Sequence, residues 1–201
     1  MLDGPLVCVD VDTQRDFMDP DGALAIADAG AIRPALARLT GWARDRGIPI
    51  VATACAHGPD DREGDFPPHC VVGTAGQARI PETAVPGSLV VGPGSGLVPG
   101  AVVPHLTIHK GAYDVFSTPE ADGVFALYGR DRPTFVVYGV ATDYCVRCAV
   151  DGLLARGHRV AGGVDASRPV DPAREAAELT GFAQAGALLT VADVVCGNGH
   201  P

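Results

Sequence analysis

Two of the chain's six cysteines, Cys145 and Cys148, stand in a C-x-x-C spacing within YGVATDYCVRCAVDGLLARG, residues 138–157. Thiols so spaced serve as a redox pair, as half of a zinc site, as a nucleophile beside a bystander, or as core filling. A zinc ribbon needs a second C-x-x-C, and the chain has none. A thioredoxin-like pair opens a helix after the first strands, whereas this pair comes late in the chain. Cys145 falls in the first turn of a predicted helix that directly follows a strand. Unpaired N–H groups at a helix N-terminus lower a thiol's pKa and can hold an oxyanion when a carbonyl is attacked. The position suits a nucleophile, with burial as a small hydrophobe the competing reading. Cys148 lies one turn further in, among Ala149, Val150, Leu153 and Leu154, and is expected to pack.

Two more groups could work with that thiol. Lys110 ends a predicted strand in IHKGAYDVF, and an ammonium beside a thiol favours the thiolate. Asp12 ends the first strand in VDVDTQRDF, where a carboxylate can take the thiol's proton and later pass it to a leaving amine. A turn cap for Asp12 and a solvated surface charge for Lys110 are the plainer alternatives.

These residues need elements to position them. Short β-rich runs predict strands over 6–11, 48–53, 106–109, 134–140, 158–164 and 188–191, with a further short strand near 88–91. Helical spacing predicts helices over 31–46, 119–128, 143–155 and from Asp171-Pro172 to about 185. Residues 54–101 are rich in Gly and Pro, and a long irregular stretch in a compact domain is usually functional or disordered. Strands alternating with helices predict a single three-layer α/β/α domain over residues 1–201, with a doubly wound, mostly parallel sheet. Sites in such sheets gather at the carboxyl ends of strands, and Asp12, Lys110 and Cys145 all fall at or just past such ends.

Composition narrows the function classes. The 201 residues suffice for one domain with a substantial core, and 47% apolar with 19% charged residues is an ordinary globular balance. The net charge is −9 and the 15 basic residues are scattered, which argues against nucleic acid as a partner. No apolar run approaches bilayer length, and MLDGPLVCVDVD lacks the positive region of a signal peptide. A cytoplasmic location with reduced thiols is expected.

VDTQRDF, FPPHCVVGTAGQARIPE, HKGAYDVF and GVATDYCVRCA occur in that order. Together they resemble the isochorismatase-like cysteine hydrolases, and the nicotinamidase branch in particular, over about residues 6–195. The resemblance implies a triad of Asp12, Lys110 and Cys145. Asp12 is preferred to Asp10 because x-Q-x-D-F follows it, and Asp16 matches a supporting acid. A cis peptide between Val140 and Ala141 is implied, with the N–H groups of Ala141 and Cys145 as the oxyanion hole. Phe17 and Phe66 match aromatic positions of a small substrate pocket, for which plain core packing is the alternative. The implied reaction is hydrolysis of a small primary amide, nicotinamide first, to acid and ammonia through a thioester. The alternatives are a metal-independent hydrolase of another small amide, carbamoyl or lactam compound, and an idle relative that binds a small molecule. Vinyl ether hydrolases of the family lack the cysteine that stands here at 145. A homo-oligomer is expected by the same resemblance.

One position departs from the branch. Nicotinamidases commonly bind a divalent metal beside the triad through ligands that begin with Asp-x-His. In TACAHGPDDREGDFPPHC, His57 and His69 match the histidine ligands and Glu63 a third, but Cys55 replaces the leading Asp. Cys55 could itself ligate, giving a set that zinc accepts. Asp60 or Asp61 could fold in as the missing acid. Or the substrate needs no metal anchor.

Overall fold

The run LVCVDV forms β1 (Leu6–Val11), buried from Val7 onward, as a strand covered on both faces requires. A single helical turn, α1 (Arg15–Met18), follows and buries Phe17 and Met18. A 3₁₀ turn over Ala29–Ile32 leads into α2 (Arg33–Asp45), which has Pro34 in its first turn and buries Leu36, Leu39 and Ala43. This computed structural model describes Leu2 and residues 4–197; positions 1, 3 and 198–201 of the expected domain lie outside the described residues.

The second strand, β2 (Ile50–Cys55), is displaced by two residues from its expected range. Pro49 has no N–H to give to a central ladder, and small residues carry the strand on through Ala54 and Cys55. Cys55 thus leaves the irregular stretch and becomes the last residue of a buried strand, opposite Lys110. β3 (Leu89–Val91) and β4 (His105–Lys110) follow, then α3 (Ala121–Tyr128) and β5 (Thr134–Val140). α4 (Cys145–Ala155) starts two residues later than expected, so Cys145 is its first residue. β6 (Arg159–Arg168) runs four residues beyond its predicted end. A register shift between Val137 and Gly139 lets Gly139 and Val140 pair with Ser167 and Arg168. A 3₁₀ turn over Pro172–Arg174, capped by the Asp171 side chain, precedes α5 (Glu175–Ala185), and β7 (Leu188–Thr190) and α6 (Ala192–Val195) complete the described chain.

The seven strands form one sheet in the order β3-β4-β2-β1-β5-β6-β7, and every pairing is parallel. One apolar cluster packs α3, α4 and α5 on one face, and a second packs α1, α2 and α6 on the other. The three-layer α/β/α architecture read from the sequence is therefore the observed one. The chain moves outward from β1 on one side and returns to β5 on the other, so the topological switch, with its crevice at the carboxyl ends, lies beside β1. Gly139 lets β5 approach β1 closely there. Its φ is +114°, and a Cβ would run into the Val11 carbonyl oxygen. Among the described residues no helix is long and apolar enough to cross a membrane.

Candidate active site

Asp12 leaves β1 with a left-handed backbone, φ 49°, at a cost of roughly 1–2 kcal/mol for a non-glycine residue. Its carboxylate is fully buried. Oδ1 accepts the Thr53 hydroxyl at 2.6 Å, and Oδ2 lies 2.8 Å from Lys110 Nζ. Asp10, two residues earlier, is engaged elsewhere by Arg79 and by the Thr13 hydroxyl at 3.0 Å. Of the two acids only Asp12 meets Lys110.

Lys110 is 1% exposed. Its ammonium touches four groups: Asp12, the Ala112 carbonyl at 3.0 Å, Cys55 Sγ at 3.1 Å and Cys145 Sγ at 3.5 Å. Burial works against that charge, yet Asp12, Cys145 and Cys55 together raise its pKa well above the usual lysine range. The Asp12 carboxyl is pushed up to about 6, first by burial and then by the neighbouring Cys55. Lys110 offsets this only in part because two sulfurs share its charge.

The sulfurs of Cys55 and Cys145, with a carboxylate oxygen of Asp12, all lie within 4.8 Å of one another. A hydrogen bond from Cys145, aided by Lys110 against the cost of burial, lowers Cys55 well below the usual thiol range. The same hydrogen bond, with burial, raises Cys145. Two adjacent thiolates repel, so the pair carries one negative charge beside the ammonium.

Cys145 lines an apolar cleft, whereas Cys55 is 0% exposed beneath it. The walls are aromatic. Phe17, Phe66, Tyr113 and Tyr144 line the cleft, with Phe66–Tyr144 and Tyr113–Tyr144 ring centroids 5.4 and 5.2 Å apart. The Val140–Ala141 peptide is cis, and Ala141 lines the same cleft. The Ala141 carbonyl accepts from the N–H groups of Tyr144 and Val146, which folds the chain into α4. Asp143 accepts the Val170 and Asp171 N–H groups at 2.8 and 3.1 Å and so holds Val170 against the cleft.

A second cluster adjoins the first through Cys55. Among the described residues, donor atoms of Cys55, His57, Glu63 and His69 lie within 4.8 Å of one another. Glu63 Oε2 is 3.4 Å from His69 Nε2 and 3.7 Å from His57 Nε2. His57 Nε2 and Glu63 Oε1 are buried without a hydrogen-bond partner, which is how a ligand set looks from the protein side. His69 Nδ1 meets the Pro67 carbonyl at 2.8 Å, which turns Nε2 toward the cluster. Burial disfavours a charged His69, but its hydrogen bonds to Cys55, Glu63 and Pro67 push its pKa up to about 10. The donor chemistry, one thiolate, two imidazoles and one carboxylate, fits zinc. Asp60 and Asp61 are exposed, stand outside the cluster, and Asp61 accepts the Gly58 N–H at 2.7 Å instead.

The Isochorismatase domain family matches the chain over residues 6–193. The chain belongs to the isochorismatase family. Among solved structures, the zinc complex of pyrazinamidase from Pyrococcus horikoshii aligns with a TM-score of 0.75 at 25% identity, over 94% of this chain and 99% of that one. N-carbamoylsarcosine amidase from Thermoplasma acidophilum aligns at 0.71 and 26%, over 94% and 98%. Nicotinamidase/pyrazinamidase from Bacillus subtilis aligns at 0.75 and 21%, over 93% and 100%, a likeness of fold. No curated protein sequence matches the chain. The chain is thus an isochorismatase-family hydrolase.

This family member brings together the residues singled out by sequence. Asp12, Lys110 and Cys145 meet at the strand ends, Phe17, Phe66 and Ala141 line the cleft, and Cys55, His57, Glu63 and His69 form one cluster. Asp16 is separate and ties down the loop, accepting the Cys70 N–H at 2.6 Å and the Ala23 N–H at 3.1 Å. Cys148 is half-buried and takes no part. Sequence reasoning missed Thr53, Gln14, Tyr113 and Tyr144. The Gln14 amide both accepts from the Cys55 N–H at 2.7 Å and donates to the Cys55 carbonyl at 2.8 Å, fixing that residue. Tyr113 and Tyr144 were visible only as neighbours of Lys110 and Cys145 in their motifs.

Proposed function

We propose that this protein hydrolyses a small primary amide to an acid and ammonia through a thioester on Cys145, with nicotinamide the first candidate. The observation that carries the proposal is the contact chain Asp12–Lys110–Cys145, closed at the foot of an aromatic cleft. Among the two thiols beside Lys110, Cys145 is the one a substrate can reach. Its proton passes to Asp12 as Sγ attacks the carbonyl carbon. The ammonium of Lys110 offsets the negative charge shared by Asp12 and the sulfurs. The N–H groups of Ala141 and Cys145 receive the oxyanion, since donors fixed in place before reaction need no reorganisation. Asp12 returns the proton to the departing amine. It then takes a proton from the water that cleaves the thioester. The aromatic walls favour a flat ring beside the amide and exclude water from the thioester.

Cys55, His57, Glu63 and His69 are the residues that would hold a divalent metal, zinc by their chemistry. Bound there, the ion would supply a Lewis-acid anchor for a heteroatom of the substrate. Adding zinc is expected to raise the melting temperature. At a hundredfold excess over Kd the stabilisation is about 2.7 kcal/mol. His69→Ala should abolish the rise, and an equal rise in that variant would remove the site.

A pH dependence also follows. Asp12 must be ionised to accept the thiol's proton, and its carboxyl titrates near 6. The proton-bound form therefore dominates below that value and is inactive. kcat/KM is expected to rise about tenfold per pH unit below 6 and to level above it. A profile flat from about pH 4.5 to 8 would remove Asp12 as the base.

Ammonia release tests the function itself. Nicotinamide, pyrazinamide and a carbamoyl amide are offered to the purified protein, with and without zinc. Release from one of them is expected, and silence on all three would discard amide hydrolysis.

A further inference from the structure

The proposed reaction uses one of the two buried thiols at Lys110. The other, Cys55, lies beside it, and the pair invites a second chemistry. Lys110 Nζ lies 3.1 Å from Cys55 Sγ and 3.5 Å from Cys145 Sγ, and the two sulfurs are within 4.8 Å of each other. We propose that Cys55 and Cys145 form a peroxide-driven disulfide that closes the active site reversibly. The inference rests on the proposed function in taking Cys145 as the reactive thiol.

Three features carry it. First, the pair is asymmetric in access: Cys145 lines the cleft and Cys55 lies beneath. An oxidant therefore meets Cys145 first, with a resolving thiol already behind it. A cleft-lining cysteine with a resolving cysteine directly behind it is the usual redox-sensing arrangement. Second, one ammonium touches both sulfurs, so it can stabilise a thiolate on either during the exchange. Third, a disulfide needs an S–S separation of about 2.0 Å, and the two sulfurs already lie within 4.8 Å of each other. Cys8 and Cys70 are buried thiols whose pKa values burial pushes up, and neither contacts Lys110.

Cys145 gives its proton to Asp12 as its sulfur attacks one oxygen of hydrogen peroxide; an S–O bond forms, the O–O bond breaks, and hydroxide leaves and is protonated. Cys55, as thiolate, then attacks the Cys145 sulfur; an S–S bond forms, the S–O bond breaks, and a second hydroxide leaves and is protonated. Two thiols lose two electrons and two protons, and one peroxide becomes two waters. A dithiol reductant reverses the linkage. Cys55 cannot ligate a metal and sit in this disulfide at once, so the two fates of its sulfur compete.

The test is peptide mapping of the purified full chain after brief exposure to hydrogen peroxide, as isolated and after chelator treatment. The expected result in at least one of these states is a cross-linked peptide joining Cys55 and Cys145. The intact mass should fall by two hydrogens, and dithiothreitol should restore it. In Cys55→Ser, peroxide should instead add oxygens to Cys145 that dithiothreitol does not remove. Oxygen addition at Cys145 in the wild-type chain, with no Cys55–Cys145 peptide in either state, would overturn the disulfide. None of these readouts needs a substrate. A cross-link without amide hydrolysis would discard the proposed function and keep the switch, and hydrolysis without a cross-link would do the reverse.

Discussion

Replacing Cys145 with alanine is expected to lower amide hydrolysis by about four orders of magnitude or more. In the proposed reaction the thiol forms and breaks the only covalent bond to substrate, and nothing else in the cleft substitutes for it. Cys55 is fully buried beneath Cys145, so the second thiol does not reach an acyl carbon seated among Phe66, Tyr113 and Tyr144. The variant should keep its fold, since alanine fits the first turn of α4 and Cys145 packs there as a small residue. Steady-state ammonia release, read beside circular dichroism and a melting curve, checks both halves. Loss of activity together with loss of fold would not support a nucleophile, and activity within tenfold of the wild type would contradict it.

The second large effect is on stability. Lys110→Met removes the ammonium that touches a buried carboxylate and two buried sulfurs, and breaking such a pair from one side costs about 3–5 kcal/mol at neutral pH. The penalty has a pH signature. A carboxyl whose folded pKa lies above its ordinary value of 3.8 favours the folded state at low pH, and this contribution is lost as pH rises through the folded value. In the wild type that window runs from 3.8 to about 6. Without Lys110 the Asp12 carboxyl moves further up, so the variant should be least stable at neutral pH and recover as the solution is acidified toward pH 4. Most surface carboxylates behave in the opposite sense. Asp12→Asn combined with Lys110→Met should regain much of the loss at neutral pH, because the buried carboxylate is no longer left unpaired. Urea unfolding at two pH values measures all three chains. A double variant as unstable as Lys110→Met would show that packing, not charge, dominates.

Much of this arrangement was legible in the order of residues, and the reason is topological. Alternating strands and helices force a parallel sheet, and a parallel sheet sends the residue after each strand to one edge. Asp12, Lys110 and Cys145 therefore converge whatever their separation in sequence. Cys55 was harder to place. The strand read as 48–53 runs instead over Ile50–Cys55, because a proline cannot join a central ladder and two small residues can. That shift turns a loop cysteine into a strand-end thiol in contact with Lys110. The start of α4 moved because residues 142–144 form a turn in which the Tyr144 N–H closes on the Ala141 carbonyl. The extension of β6 to Arg168 depends on a register shift opposite Val137 and Gly139, a long-range event with no local signature. The aromatic wall formed by Tyr113 and Tyr144 likewise joins segments that only the folded chain brings together.

Hydroxylamine distinguishes a thioester on Cys145 from direct attack of water on the amide. Added during turnover of nicotinamide, it competes with water for the acyl group. A thioester predicts that nicotinoyl hydroxamate appears at the expense of nicotinic acid while total ammonia release stays the same or increases, and that Cys145→Ala yields neither product. Nicotinic acid formed at the same rate with and without hydroxylamine, with no hydroxamate, would mean that water attacks the amide directly, and the covalent account would be wrong.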